Sequence, residues 1–315
     1  MRASYHDDYE IPLPEGHPFP MRKFSALREI LLSEGLLGVG DLMEPEEISW
    51  DDLRMVHEES YLRDLREGTL DAKAIRRLGL PWSPALVRRS RLAANGTVLA
   101  GWQALEDGLA ANLAGGTHHA CPDHGEGFCV LNDVGVAIRI LQREEEIARA
   151  LIVDLDVHQG NGNALCFADD PAVFTYSMHG ARNFPLRKPP SDLDVPLDDH
   201  TGDLVYLQRL QATLPDAIRA AAPDLVFLLS GVDVVVGDRY GRLAMTRDGL
   251  RRRERLAQSL LRSAGLPVVL VLSGGYAETP RLTADLHAES HRAAAEVFGR
   301  GGTSGRSQPG REDHS

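Results

Sequence analysis

Four short apolar runs constrain this chain more than any other feature: ALIVDLDV (150–157), AVFTYSM (172–178), DLVFLLSG (224–231) and PVVLVLSGG (267–275). Each is rich in Val, Leu or Ile and lacks clean apolar–polar alternation, as strands buried on both faces do. Around them, at 84–108, 131–145, 202–221 and 246–265, apolar residues recur every three or four positions. That spacing predicts helices. The last should begin at Thr246 as N-cap and stop at Gly265, two residues before a proline. Strands alternating with helices predict an α/β chain: a mainly parallel, multi-stranded sheet with helices on both faces. With 315 residues, 43% of them hydrophobic, there is material for one large core, expected as a single domain over 1–298. The remainder, 299–315, is Gly, Ser and charge, and is expected to be disordered.

In sheets of this kind ligands bind beyond the carboxyl ends of the strands. Here those ends read DLDVHQGNG, SMHG, SGVDVVVGD and SGGY, so chemically capable residues collect at one edge. Asp154, Asp156 and His158 recur at every second position, which on an extended chain points them to one face. Taken alone, this is also how a polar strand terminus with glycine turns reads. Two carboxylates and an imidazole converging there would be costly to desolvate without a cation. A third ligand is available in GVDVVVGDRYG, as Asp233 or Asp238. A His/carboxylate set with an open position suits a catalytic divalent ion better than a closed structural one. Such donors accept zinc, iron(II), cobalt or manganese; zinc (Zn2+) is the expectation, because hydrolysis needs a Lewis acid without redox chemistry, with iron (Fe2+) the alternative.

The stretch GGTHHACPDHGEGFC (115–129) then gains a meaning beyond a surface turn. Adjacent histidines cannot easily share one strand face, so His118 and His119 are awkward as joint ligands. Beside a metal they make sense as proton-handling groups whose pKa values a neighbouring carboxylate separates. Tyr276, after two glycines at a strand end, reads either as a packing ring or as a hydroxyl offered to an oxyanion.

Taken in order, GGTHHACPDHGEGFCVLND, DLDVHQGNG, YSMH, GVDVVVGDRYG and LSGGY resemble the histone deacetylase superfamily, over about residues 5–297. The resemblance is closest to class IV and to bacterial histone deacetylase-like amidohydrolases. It implies an arginase/deacetylase-like fold with the active site at the strand C-terminal ends. By this resemblance Asp156, His158 and Asp238 match the metal ligands, and Asp233 becomes a local structural residue. His119 would be general base and then general acid, His118 its electrostatic support, Asp154 the partner of His118, and Tyr276 the donor to the oxyanion. Asn161 stands where class I members carry an aspartate facing the second histidine, which should leave His119 less biased towards its charged form. A structural potassium (K+) site would draw on Asp154, Asp156, His158, Ser177 and Met178. Gly127 and Phe128 match one wall of an acyl-lysine tunnel, with Gly274 and Gly275 along it and Phe184 or Leu186 closing the opposite wall.

The resemblance implies a zinc-dependent hydrolase removing acetyl or longer fatty acyl groups from lysine side-chain nitrogen of proteins or peptides. Acetylpolyamine or other small-amide deacetylation by the same residues is the nearest alternative, and a catalytically silent acyl-lysine binding module the non-enzymatic one. A two-metal ureohydrolase is disfavoured, because Gly160 occupies the position of the second bridging acid. A net charge of −12 argues against direct nucleic-acid binding. Three cysteines make no disulfide framework. No apolar run is long enough to span a membrane and the first residues lack a signal-peptide pattern, so a cytoplasmic location is expected. Oligomeric state is not legible.

Overall fold

Every strand pairing in the computed structural model, which describes residues 1–299, is parallel. The eight strands are β1 (Arg2–Ser4), β2 (Leu42–Met43), β3 (Leu109–Asn112), β4 (Ala150–Asp154), β5 (Val173–Gly180), β6 (Leu193–Leu197), β7 (Leu225–Leu229) and β8 (Val268–Val271). They form one sheet in the order β2-β1-β3-β8-β7-β4-β5-β6. The four apolar runs are β4, β5, β7 and β8, in the middle of the sheet. β6 holds Pro196, which has no N–H to donate and is admissible because this strand is an edge. Apart from Gly299, the expected tail lies outside the described residues.

Ten α-helices accompany the described strands: α1 (Lys23–Ser33), α2 (Trp50–Leu53), α3 (Glu59–Glu67), α4 (Ala72–Leu78), α5 (Pro84–Asp107), α6 (Asp133–Arg143), α7 (Asn161–Cys166), α8 (Asp203–Ala221), α9 (Arg247–Ser263) and α10 (Pro280–Val297). Thr246 caps α9 as expected, its hydroxyl accepting from Gly249 N at 3.0 Å. The chain moves across the sheet one way from β3 to β4 and β5, and back from β6 to β7 and β8. Right-handed crossovers therefore put α6 on one face and α8 and α9 on the other. α5 packs with α6, while α8, α9, α10 and α1 pack in series, which gives the two-sided cover that fully buried strands need.

Register sets the height at which each chain leaves the sheet. Asp154 lies opposite Leu229 on β7 and Ser177 on β5, and Leu229 lies opposite Val271 on β8. Residues an equal count past these points arrive together. Among the described residues no helix is long and apolar enough to cross a membrane.

Candidate active site

Beyond β4 and β7 the two chains run on side by side, so that the fourth residue past each register point, His158 and Asp233, come to the same level. His158 Nδ1 sits between two carboxylates, 3.1 Å from Asp156 Oδ1 and 3.2 Å from Asp233 Oδ2. One donor atom from each of Asp156, His158 and Asp233 lies within 4.8 Å of the others. Both carboxylates are fully buried. Asp156 Oδ2 accepts from Gly274 N at 2.6 Å, and Asp233 Oδ1 from Val157 N at 2.9 Å. Asp233 Oδ2 has no hydrogen-bond partner, an orphaned buried oxygen of the kind a cation satisfies. The three side chains fit a divalent ion. Gly274 has to be glycine, since a Cβ there would stand 2.1 Å from Asp233 Oδ2 and 2.6 Å from Asp156 Oδ2.

This corrects the expected ligand set. Asp238 does not join the cluster: its Oδ1 accepts from Tyr240 N and Gly241 N at 2.8 and 3.0 Å, and its Oδ2 from Tyr276 N at 2.7 Å. Asp238 therefore fixes the backbone that carries Tyr276, and Asp233 takes the place given to it.

The histidine pair is suspended from β3. Asp133 holds the incoming loop by accepting from Thr117 N and Gly116 N at 2.7 and 3.0 Å. The rings of His118 and His119 have centroids 4.0 Å apart but different partners. His118 Nδ1 lies 2.7 Å from Asp154 Oδ2. Burial disfavours its charge, yet Asp154 and Asp156 outweigh this and carry its pKa up to about 9. His119 is pushed well below the usual histidine range by burial, then by the charges of His118 and His158. Asn161 Nδ2 donates to Glu126 Oε1 at 2.6 Å, which turns Asn161 Oδ1 towards His119 Nδ1 at 2.6 Å. The His119 proton therefore sits on Nδ1, and Nε2 keeps its lone pair. Glu126 was not foreseen, although it lies inside the quoted motif.

Burial opposes ionisation of Asp156, but the His118 and His158 charges hold its carboxyl well below the usual range. Asp233 is raised to about 7 by burial and by the Asp156 charge. Burial works against a charged His158, and its bond to Asp156 and the nearby Asp233 carboxylate nevertheless lift it to about 10. Tyr276 is driven well above the ordinary phenol value by burial and by the charges of Asp233 and Asp156, so its hydroxyl keeps its proton and can donate.

Above this floor, Phe128, Phe184, Tyr240 and Tyr276 line a cleft of about 370 Å³, together with Arg77, Glu126, His119 and His158. Phe184 stands edge-on to His119, centroids 5.0 Å apart, and forms the second wall. Leu186 is 94% exposed and lines nothing, and a Cβ on Gly275 would meet Val232 and His287, so neither belongs to the wall. Phe128 holds φ = 68°, a conformation disfavoured for an aromatic residue, pinned by its N–H on Leu78 O at 2.8 Å. Tyr240, the ring 4.9 Å from Tyr276, was also not foreseen, though it too lies in a quoted motif. Asp154 and Ser177 are paired across the β4–β5 register, with Met178 next along β5. Ser177 Oγ meets His179 Nδ1 at 3.0 Å.

Residues 17–290 match the histone deacetylase domain. The chain is 49% identical over 296 residues to an uncharacterized protein of Picosynechococcus sp., covering 93% of this chain and 98% of that one. It is 31% identical to histone deacetylase 2 of Arabidopsis thaliana, covering 89% of this chain and 76% of the relative. It is 26% identical to the acetoin utilization protein AcuC of Staphylococcus aureus, covering 82% and 72%. The solved HDA15 HD domain superposes with a TM-score of 0.74 at 21% identity, over 95% of this chain and 90% of that one, which speaks for the fold.

Proposed function

The chain belongs to the histone deacetylase family, and from that premise we propose that it is a metal-dependent amidohydrolase removing acyl groups, acetyl or longer, from lysine side-chain nitrogen. The observation that carries the reading is the split histidine pair, one ring bonded to the Asp154 carboxylate and the other to the Asn161 amide, beside the Asp156–His158–Asp233 cluster.

A divalent ion held by Asp156, His158 and Asp233, zinc or iron(II), would polarise the acyl carbonyl and acidify a water. His119 Nε2, lone pair free, takes the proton from the attacking water and returns it to the departing lysine amine. His118, charged and tied to Asp154, stabilises negative charge developing nearby without giving up its own proton. Tyr276 donates its hydroxyl to the oxyanion from a position that Asp238 sets through the Tyr276 backbone N–H. The aromatic walls exclude water from the lysine stem, which is apolar along its methylenes. Potassium at Asp154, Asp156, His158, Ser177 and Met178 belongs to the same proposal.

Selection of a polyamine would call for a rim of carboxylates; the charged side chains at the cleft are Arg77 and Glu126, one of each sign, which favours an acyl-lysine peptide. The test is turnover of acetyl-, octanoyl- and myristoyl-lysine peptides and of acetylated polyamines, with metal analysis of the same sample. Hydrolysis of at least one lysine peptide, abolished by chelation and restored by zinc or iron(II), supports the proposal. Tight binding of acyl-lysine without turnover in the metal-loaded protein would identify a reader instead.

A further inference from the structure

Among the described residues two groups of metal-ligating side chains are closely spaced, and the chemistry above uses only one. The other lies on the loop leaving His119: Cys121, His124 and Glu126 each present a donor atom within 4.8 Å of the others. The Cys121 thiol is buried, and His124 and Glu126 are partly so. A bond from Cys121 N to His124 O, 2.8 Å, closes the loop on itself and holds the three side chains on one short turn.

The imidazole is already prepared as a ligand. Asp123 Oδ1 lies 2.6 Å from His124 Nδ1, which keeps the ring proton there and leaves Nε2 as the lone pair. A carboxylate behind the ring is the support that metal-bound histidines generally have. His124 Nε2 faces Glu126 Oε2 at 3.9 Å. Glu126 divides its oxygens: Oε1 holds Asn161 at 2.6 Å, and Oε2 is turned to His124. It can therefore ligate through Oε2 without releasing Asn161. Asp123, His124 and Gly125 also wall a separate cleft of about 340 Å³, so the His124 side of the turn opens away from the aromatic tunnel.

A thiolate, an imidazole and a carboxylate select a zinc-type ion over magnesium or calcium. We propose that Cys121, His124 and Glu126 form a second transition-metal site on the loop that bears the histidine pair. Binding replaces the Cys121 thiol proton, which leaves to solvent, and a water completes the tetrahedron. Occupancy stiffens the loop and, through Glu126 and Asn161, ties the site to the orientation of the His119 ring; Cys121, His124 and Glu126 act as positioning residues for that ring.

The full chain, stripped by chelator and kept in a non-thiol reductant, is titrated with cobalt(II) while absorption and bound metal are followed. Two equivalents are expected, and only one of them gives a thiolate-to-cobalt band in the near ultraviolet, since Asp156, His158 and Asp233 carry no sulfur. Cys121→Ser and His124→Gln should each lose the band and one equivalent. Asp233→Asn should keep the band and lose the other equivalent. A single equivalent without a thiolate band in the unmodified chain, or a band undiminished in Cys121→Ser, overturns the proposal. Should the serine variant not fold, His124→Gln decides, because that ring is partly exposed. None of these readouts depends on whether the chain turns over acyl-lysine.

Discussion

Asp233 and Asp238 are five residues apart on one segment and have opposite tasks: one carboxylate is turned inward to the cluster, the other is spent on three backbone N–H groups. Asp233→Asn should strip the catalytic metal and abolish turnover. Asp238→Asn should keep the metal but lower kcat, because the Tyr276 backbone loses its anchor. Metal content of the two purified variants decides, and the reverse pattern would restore the assignment made from sequence. Tyr276→Phe should lower kcat by about 10²–10³ with metal content unchanged, the usual weight of one oxyanion donor; a variant at full rate removes Tyr276 from the reaction. The sequence made the residue types of the site legible, His118, His119, Asp156 and His158 among them. Its spacing could not rank the two aspartates, because both follow the same strand, and the resemblance chose Asp238. The deciding fact is sheet register: Asp154 opposite Leu229 brings Asp233, not Asp238, level with His158. Phe184 and Leu186 were indistinguishable for a similar reason, since both lie on one loop and only its path turns one ring to His119 and the other side chain to solvent.

α7 shows how an element sets this geometry. Its first turn carries Asn161 and packs beneath the histidine loop so closely that Asn163 N bonds His118 O at 3.2 Å. A Cβ on Gly162 would stand 2.4 Å from Ala120 O and 2.6 Å from His118 O, both backbone atoms that cannot swing aside. Gly162→Ala should therefore push the loop off the helix and cost about 1–3 kcal/mol, the usual range for overpacking. It should also lower kcat more than metal affinity, because His119 shifts against Asn161 while Asp156, His158 and Asp233 are untouched. Denaturant midpoints and kcat with metal content measure the two effects; wild-type values of both would mean that loop and helix are not in such contact. α7 is six residues long and was not read from the sequence, nor were the three-, two- and four-residue strands β1, β2 and β3. Elements this short carry too few positions to display a period. The legible elements were the buried strands in the middle of the sheet and the helices α5, α6, α8 and α9, which have one, whereas α1 and the 18-residue α10 were not read.

For the molecule as a whole, the same burial that tunes the site sets a limit on acid stability. His291 on α10 is buried against α9, with Glu254 of that helix and Arg292 as charged neighbours and His287 four residues before it. Its Nδ1 reaches only the His287 carbonyl, at 3.3 Å, and Nε2 has no partner. Burial lowers its pKa from 6.5 to about 4, with the His287 carbonyl and Glu254 opposing this in part. The unfolded chain thus binds a proton between those two values that the folded chain refuses, so stability is full above 6.5 and drains away as pH falls towards 4. A shift of this size corresponds to at most about 3 kcal/mol. His57, also pushed down to about 4 by burial, has the same sign. Urea midpoints taken from neutral pH down to 4.5 should fall in the unmodified chain. In His291→Leu, which keeps the volume and gives up only one long hydrogen bond, the fall should be shallower by one proton's worth, with the His57 share remaining. Parallel pH profiles for the two proteins would mean that the His291 ring accepts its proton within the fold, and that the packing of α10 on α9 yields more readily than its burial implies.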